Sequence, residues 1–324
     1  MKLPRRQFLH MAAGAAALPA LAHIAKAQTY PTRPVRVIVP FAAGGPSDYA
    51  ARTIGEALAK QLSQSIVIDN RPGADGAIAT GAVLSAPSDG YTLLFGGASL
   101  LALSVLKKPA PFDSADFAPI ARVTEIEWVM YVSPTLPTRS IEELVDYARN
   151  NPGKLSYAAS NLSEYMAAVQ FMKATGTEMV RVPYKGFAQA LPDLMAGRVH
   201  VNVAPLSAVL PHARDGKVRM LAVLMPERSR FAPDVPSIAD VGLSGLSIPG
   251  WQAFLASAKT PSGMITRLDG DINKTLYDPE VRVRFEQQSV RVEGSTAQDL
   301  AAIIKRDLQI WSDFIRENGA LLER

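Results

Sequence analysis

The amino-acid sequence predicts an α/β fold built on parallel, doubly wound sheets. Short runs rich in Val, Ile and Leu alternate along the chain with longer stretches whose apolar residues recur every three or four positions. A short apolar run without alternation is typical of a strand covered on both faces, which favours parallel pairing. The 324 residues fit roughly two domains of about 150 residues each.

The elements follow one another in regular order. Strands are predicted at 35–39, 66–69, 91–95, 129–132, 155–158, 180–182, 199–203 and 218–224. Helices are predicted at 47–62, 76–85, 141–150, 164–174, 188–196, 206–215, 265–276 and 297–318. Pro and Gly concentrate at 232–250, which predicts a long connection between the two domains. Trp128 and Trp251 lie near the two predicted crossings between domains and are expected to pack in the core, as are Trp311 and Phe314.

The first 27 residues have the form of a signal peptide. A basic start is followed by an alanine-rich apolar run and by the small-x-small site Ala25-Lys26-Ala27. Arg5-Arg6-Gln7-Phe8-Leu9 resembles a twin-arginine export signal, and an ordinary secretory signal with an incidental arginine pair is the alternative. The apolar run is shorter than the ~20 residues that a transmembrane helix needs. Both readings predict a periplasmic protein that begins at Gln28.

Composition excludes several classes of function. Removing the segment 1–27 takes away four basic residues and leaves 30 basic and 30 acidic ones. The excess of basic residues in the full sequence therefore gives no support for nucleic-acid binding. The absence of cysteine excludes disulfides, thiolate nucleophiles and thiolate metal sites.

The stretch 35–48 is the most informative in the chain. It predicts a buried strand, a glycine turn and the start of a helix, an arrangement that leaves backbone N–H groups at the positive end of a helix dipole. Gly44 and Gly45 allow close approach of a ligand to the backbone, Ser47 or Asp48 can cap the helix, and Phe41 can cover a ligand. A carboxylate is the expected ligand, and a capped turn without a ligand is the alternative.

Three further turns follow predicted strands, where ligands collect in parallel sheets. They lie at 96–99, with Gly96 and Ser99, at 159–163, with Ser160, and at 184–187, with Gly186. Small polar residues also serve turns for structural reasons alone. Lys185 either pairs with an anion or is solvated.

Enzyme and metal signatures are sparse. Only His200 and His212 remain after residue 27, and no phosphate-binding loop, nucleophile elbow or zinc-protease motif occurs. No metal or cofactor is predicted. A dispersed hydroxyl site, as in a hydrolase, stays open as a minor alternative.

A set of ordered motifs resembles the Bug family, the extracytoplasmic solute receptors of tripartite tricarboxylate transporters. The similarity runs through the whole chain after residue 27. The motifs are Val39-Pro40-Phe41-Ala42-Ala43-Gly44-Gly45-Pro46-Ser47-Asp48 with Ala51-Arg52, Asp69-Asn70-Arg71-Pro72-Gly73-Ala74-Asp75-Gly76, Pro87-Ser88-Asp89-Gly90-Tyr91-Thr92-Leu93-Leu94, 112–120, Asn151-Pro152-Gly153-Lys154-Leu155, Val182-Pro183-Tyr184-Lys185-Gly186 and Leu210-Pro211-His212.

This resemblance implies a two-lobe periplasmic binding protein, type II-like, in which each lobe is a mainly parallel sheet flanked by helices. Residues 28–127 with 250–324 would form one lobe and 128–249 the other. The lobes would close on a small organic carboxylate and deliver it to a membrane permease, or report it to a sensor kinase. The implied binding residues are Phe41, Ala43, Gly44, Gly45, Ser47, Asp48, Gly96, Ser99, Ser160, Asn161, Ser163, Gly186 and Ala204.

The sequence departs from the family pattern in the second lobe. Members usually carry a glycine-rich loop after the strand at 155–158, whereas this chain has Ala159-Ser160-Asn161-Leu162-Ser163-Glu164. Many also have Asp-Asn where Ala204-Pro205 stands here. Acidic Glu164 with apolar Leu162 and Ala204 suggests a ligand with one carboxylate and a less polar far end.

Overall fold

The computed structural model describes residues 30–106, 109–184, 186–246 and 248–322. The predicted signal segment and Lys185 lie outside these residues. In the described part of the chain the strands are β1 Val35–Val39, β2 Ile66–Asn70, β3 Thr92–Gly97, β4 Phe117–Glu125, β5 Trp128–Val132, β6 Ser156–Ala159, β7 Val180–Pro183, β8 Val201–Pro205, β9 Arg219–Val223, β10 Trp251–Ser257 and β11 Arg291–Val292.

The helices of the same ranges lie between and after these strands. They are α1 Pro46–Leu62, α2 Ala77–Leu84, α3 Ala98–Leu106, α4 Ile141–Asn150, α5 Leu162–Thr175, α6 Phe187–Met195, α7 Leu206–Arg214, α8 Ser262–Leu276, α9 Pro279–Gln287 and α10 Ala297–Leu322. No helix among the described residues combines the length and apolarity that crossing a bilayer requires.

The first sheet has the strand order β11–β4–β10–β3–β1–β2. β1 pairs in parallel with β2 and β3, whereas β10 is antiparallel to both β3 and β4, and β11 is antiparallel to β4. Four of the six strands therefore run in one direction, and β10 is inserted among them in the opposite one. The carboxyl ends of β1, β3 and β4 share an edge with the amino end of β10.

The second sheet repeats this plan with the order β7–β6–β8–β5–β9. β6 is parallel to β7 and β8, and β5 is antiparallel to β8 and β9. The amino end of β5 lies beside the carboxyl ends of β8 and β9, because Trp128 is paired with Pro205 and Val129 with Val223. The prediction of mainly parallel sheets thus holds for strand direction, with one antiparallel strand inside each sheet.

Successive residues of the first sheet's central strands enter different cores. Val37 and Leu93 pack in a cluster with side chains of α1, α8 and α9, while Ile38 and Leu94 pack in a cluster with side chains of α2, α3 and α10. The second sheet is covered in the same way, by α4 and α5 on one face and by α6 and α7 on the other. Burial on both faces explains why these strands are continuous apolar runs.

Chain crossings join the two sheets. Residues 126–127 lead from β4 to β5, and residues 224–250 lead from β9 back to β10. Trp311 and Phe314 of α10 are buried in the second sheet's cluster, so this helix packs on both sheets. Because β4 ends and β5 begins at the crossover 126–127, the carboxyl edges of both sheets face it.

Candidate functional site

The turn between β1 and α1 is fixed by Asp48. Its Oδ2 accepts hydrogen bonds from the N–H of Gly44 (2.9 Å) and from Nε of Arg52 (3.0 Å), and the residue is 4% exposed. The hydrogen bond from Arg52 holds the pKa of this carboxyl below its usual range, although burial acts in the opposite direction. Gly44 has φ +83°, a left-handed conformation that favours glycine.

The N-terminus of α1 is left without a side-chain cap. Gly45 is the N-cap residue and Pro46 the first helical residue, and no side chain caps the end. The first N–H to donate within the helix is that of Tyr49, to the carbonyl oxygen of Gly45 (2.9 Å). The N–H groups of Ser47 and Asp48 lie before it in the first turn, so they are available to an anion. The expectation that Ser47 or Asp48 would cap this helix is wrong, because Asp48 instead reaches back to Gly44.

Gln252 of β10 connects the turn to the end of β4. Its Nε2 donates to Oγ of Ser47 (2.6 Å), and its Oε1 accepts from Oγ1 of Thr124 (3.1 Å). Because Ser47 accepts this bond, its own O–H can donate to a further group. The hydroxyl is thereby oriented next to the free N–H groups of the helix.

A cavity of about 260 Å³ lies where these elements meet. One wall consists of 44–46 with Tyr49 and Ala50 of α1, and the opposite wall consists of 205–208 at the start of α7. Residues 124–127 and Gln252 form the crossover wall, and Phe285 with 288–291 closes a further side. Like α1, α7 begins without a side-chain cap. The cavity therefore lies between the uncapped ends of two helices, one from each sheet.

The charged side chains on the described lining are Glu125, Glu127 and Arg291. Nε of Arg291 lies 3.3 Å from Glu125 Oε2 and 3.1 Å from Glu293 Oε2. Burial opposes the charge of Arg291, but these carboxylates outweigh it and raise its pKa. Glu127 is 7% exposed and accepts a hydrogen bond from Oγ of Ser229 (2.5 Å). Apart from the helix ends, the lining carries more negative than positive charge.

Comparisons with known proteins match this architecture over nearly its full length. The family model described as the tripartite tricarboxylate transporter family receptor matches residues 50–320. The chain belongs to this family of receptors. It is also 33% identical to protein BugT of Bordetella pertussis over 302 residues, which cover 92% of this chain and 93% of that protein. The family predicted from the sequence motifs is confirmed.

Solved structures show the same fold. The periplasmic binding protein BugD is 29% identical, with a TM-score of 0.77 over 90% of this chain and 99% of its own. A protein of R. palustris, Rpa4515, solved with adipate, is 32% identical, with a TM-score of 0.80 over 90% of this chain and 98% of its own. The predicted two-lobe periplasmic binding fold is thus confirmed for this receptor.

The cavity brings together only part of the predicted set of residues. Gly44 and Gly45 line it, Ser47 is bonded to the lining residue Gln252, and Ala204 is buried directly before Pro205 of the opposite wall. Phe41, Ala43 and Ser99 are exposed, and the receptor's cavity lining does not include them or Gly96, Ser160, Asn161, Ser163 and Gly186.

Several of these residues have structural roles in the receptor. A Cβ at Gly96 would lie 2.9 Å from Leu100 Cδ2, so this glycine allows α3 to pack closely after β3. Asn161 is the N-cap of α5, with Oδ1 accepting from the N–H of Glu164 (3.0 Å). Gly186 is the N-cap of α6, which has no side-chain cap. Ser163 is 1% exposed, and its Oγ has no partner among the described residues.

Sequence reasoning missed the lining residues Thr124, Glu127, Gln252 and Arg291. These lie on β4, β10, β11 and the crossover, none of which was predicted as a strand or as a part of the site. The only available signal was the pair of tryptophans, Trp128 and Trp251, next to the crossings. Both are buried, as expected, at 6% and 3% exposure.

Proposed function

We propose that this receptor captures a small organic carboxylate between its lobes in the periplasm and delivers it to a permease of the tripartite tricarboxylate type. The observation that carries the proposal is the uncapped N-terminus of α1, placed at a cavity between the two sheets. Two free N–H groups, a hydroxyl and a helix dipole form a site for one carboxylate without a cationic side chain. The adipate bound to the R. palustris relative supports the same chemistry.

Export and lobe boundaries belong to the same proposal. The segment 1–27 would direct the chain to the periplasm by the twin-arginine route and be removed after Ala27. Residues 28–127 with 250–324 would move as one lobe and 128–249 as the other, about the crossings at 126–127 and 224–250. Closure about these crossings would bring the turns of the second sheet onto a ligand held at α1. Delivery and not turnover of the acid is the proposed role; signalling to a sensor partner would use the same pocket.

The substitution Gly45→Asp tests the proposal. Gly45 has φ −82° and ψ 172°, and a Cβ there would meet only Ala42 O, at 3.6 Å, so the fold tolerates a side chain. Aspartate is a favoured N-cap, and its carboxylate would occupy the N–H groups assigned to the ligand. We expect unchanged or higher thermal stability together with at least about a 100-fold loss of affinity for the carboxylate.

Calorimetry with a panel of mono-, di- and tricarboxylates measures this effect after a thermal-shift screen has found the acids that bind. Gly270→Asp is the matched control, because Gly270 is exposed in α8 and has nothing within 4 Å of a Cβ. An acid that binds the Gly45→Asp variant as tightly as the wild type would show that α1 is not the carboxylate site. A panel in which no acid raises the melting temperature would reject carboxylate binding itself.

A further inference from the structure

The turn between β6 and α5 already contains a carboxylate. Glu164 is 2% exposed, and its Oε2 accepts from the N–H (2.5 Å) and Oγ (2.8 Å) of Ser160. Its Oε1 accepts from Nδ2 of Asn161 (2.8 Å). Acceptance of N–H groups by both oxygens is the pattern of an ionised carboxylate, although burial raises the pKa of Glu164. The polar groups of Ser160 and Asn161 are therefore occupied within their own turn.

This turn lies at the same edge as the far wall of the cavity. β6 is the parallel neighbour of β8, with Tyr157 paired with Val201, so Ala159 falls level with Val203. Adjacent strands are about 4.8 Å apart, which places the β6–α5 turn next to the β8–α7 turn. Residues 205–208 of that second turn line the cavity. A ligand that extends from α1 across the cleft approaches both turns.

The two sides of the cleft differ in the charge that they can accept. Each turn carries a carboxylate at the third helical position that accepts from the N–H four residues earlier, Asp48 in α1 and Glu164 in α5. Asp48 is paired with Arg52 and α1 has no side-chain cap, whereas α5 is capped by Asn161 and Glu164 is held by hydrogen bonds from Ser160 and Asn161. Glu127, on the crossover wall, is a second carboxylate residue next to the start of α7, where the N–H of Leu206 donates to its backbone oxygen (2.7 Å). The largest influences on the pKa of Glu164 are burial, which raises it, and the hydrogen bonds from Ser160 and Asn161, which lower it. A second ligand carboxylate would meet like charge there.

We propose that Glu164 is a specificity-determining residue that restricts the receptor to acids with one carboxylate and an uncharged far end. The inference rests on the proposed carboxylate function and names the ligand class for it. Glu164 acts in two ways: it accepts the hydrogen bonds that Ser160 and Asn161 could otherwise donate to a ligand, and it repels a second anion. The start of α7 has no side-chain cap either, but the Glu164 carboxylate on the neighbouring turn offsets the positive end of that helix dipole, so a neutral polar group or a water molecule is favoured there at the far end of the ligand.

Matched acids of equal length test this assignment. Calorimetry would compare hexanoate with adipate and butyrate with succinate on the wild type and on the Glu164→Gln variant. As an order of magnitude, two like charges about 7 Å apart at an intermediate dielectric repel by an energy that corresponds to about tenfold or more in affinity. We expect the wild type to prefer each monoacid by at least about tenfold, and Glu164→Gln to reduce that preference by a similar factor with monoacid affinity nearly unchanged.

Glu143→Gln is the control variant. Glu143 occupies the same third helical position in α4, where Ser140 is the N-cap, and its Oε2 accepts from the N–H of Arg139 (2.6 Å). It should leave the ratio of the two affinities unchanged. Retained monoacid affinity reports that Glu164→Gln is folded, and the wild-type ratio tests the assignment without any variant.

The outcomes separate this inference from the proposed function. A wild type that binds the diacid as tightly as the monoacid, or a preference that Glu164→Gln leaves unchanged, would overturn the role of Glu164 while carboxylate binding stands. Absence of binding by every acid of the panel would overturn the proposed function and this inference with it.

Discussion

Replacing Asp48 with alanine is expected to loosen the β1–α1 turn and to weaken carboxylate binding at the same time. The substitution removes the acceptor of two hydrogen bonds, from the N–H of Gly44 (2.9 Å) and from Nε of Arg52 (3.0 Å). Gly44 then loses the contact that holds its left-handed conformation, φ +83°. Because glycine has the largest backbone freedom of any residue, the turn next to the ligand site becomes mobile.

The magnitude follows from the surroundings of the two bonds. Hydrogen bonds to a charged group contribute about 1.5–3 kcal/mol each when they are protected from water. The Asp48 side chain is 5% exposed, but that of Arg52 is 47% exposed, so solvent screens the ion pair and its share lies at the low end. The free energy of unfolding should fall by about 2–3 kcal/mol in Asp48→Ala. Affinity for a carboxylate should fall about tenfold or more as the turn loses its preorganised shape.

Urea denaturation and calorimetry on the same preparations measure both effects, with Asp240→Ala as the control. Asp240 Oδ2 accepts from the same kinds of partner, the N–H of Ser237 (2.9 Å) and Nε of Arg228 (2.7 Å), but its side chain is 41% exposed. The control should lose less stability and no affinity. Equal stability losses in the two variants, or unchanged affinity in Asp48→Ala, would refute the role given to this turn.

The pH dependence of this prediction has a definite sign. Since the folded-state pKa of Asp48 is depressed, its stabilising contribution is present above the unfolded pKa of about 3.9 and is lost as the pH falls through the folded value. The stability difference between wild type and Asp48→Ala should therefore shrink in acid. A difference that stays constant down to pH ~2 would contradict the ion-pair contribution.

Two further predictions concern the sheets. Gly97→Ala should lower the free energy of unfolding by about 3 kcal/mol in urea denaturation, because a Cβ there would lie 2.5 Å from the backbone oxygen of Trp251. Gly81→Ala is the control and should be neutral or stabilising, because a Cβ there has nothing within 4 Å. Equal effects of the two substitutions would contradict the close pairing of β3 and β10. Burial lowers the pKa of His200, whose Nδ1 accepts from the N–H of Ser156 (3.0 Å). The unfolded state therefore takes up a proton first, and the free energy of unfolding should fall as the pH drops below about 6.5. His200→Gln should reduce this dependence of the free energy of unfolding on pH. An identical slope in wild type and variant would show that His200 is not the titrating group.

Much of the fold could be predicted from the sequence because its strands are buried on both faces. β1 was predicted at its observed bounds and α1 within one residue, since apolar runs and helical periodicity agree there with the tertiary environment. β4 and β10 were missed because they lack a run of Val, Ile and Leu, and β4 contains Pro119. α3 was read as a turn because its small residues follow the glycines that end β3.

The part of the site that could be predicted from the sequence is the part in which backbone N–H groups bind the ligand. Gly44 and Gly45 predict a turn whose backbone a ligand can approach closely, and the structure places both residues at the cavity. Gln252 and Arg291 join the lining through strands that follow long connections, so no local pattern could place them. Glu164 was noticed as an acidic departure, but its role depends on bonds to Ser160 and Asn161 that only the folded turn reveals.

A crystal structure of the receptor with a bound carboxylate would show which groups hold the anion. We expect one carboxylate oxygen within about 2.7–3.2 Å of the backbone nitrogen of Ser47 or Asp48, at the cavity between the two sheets. A carboxylate held by arginine or lysine side chains, or bound away from the start of α1, would contradict it.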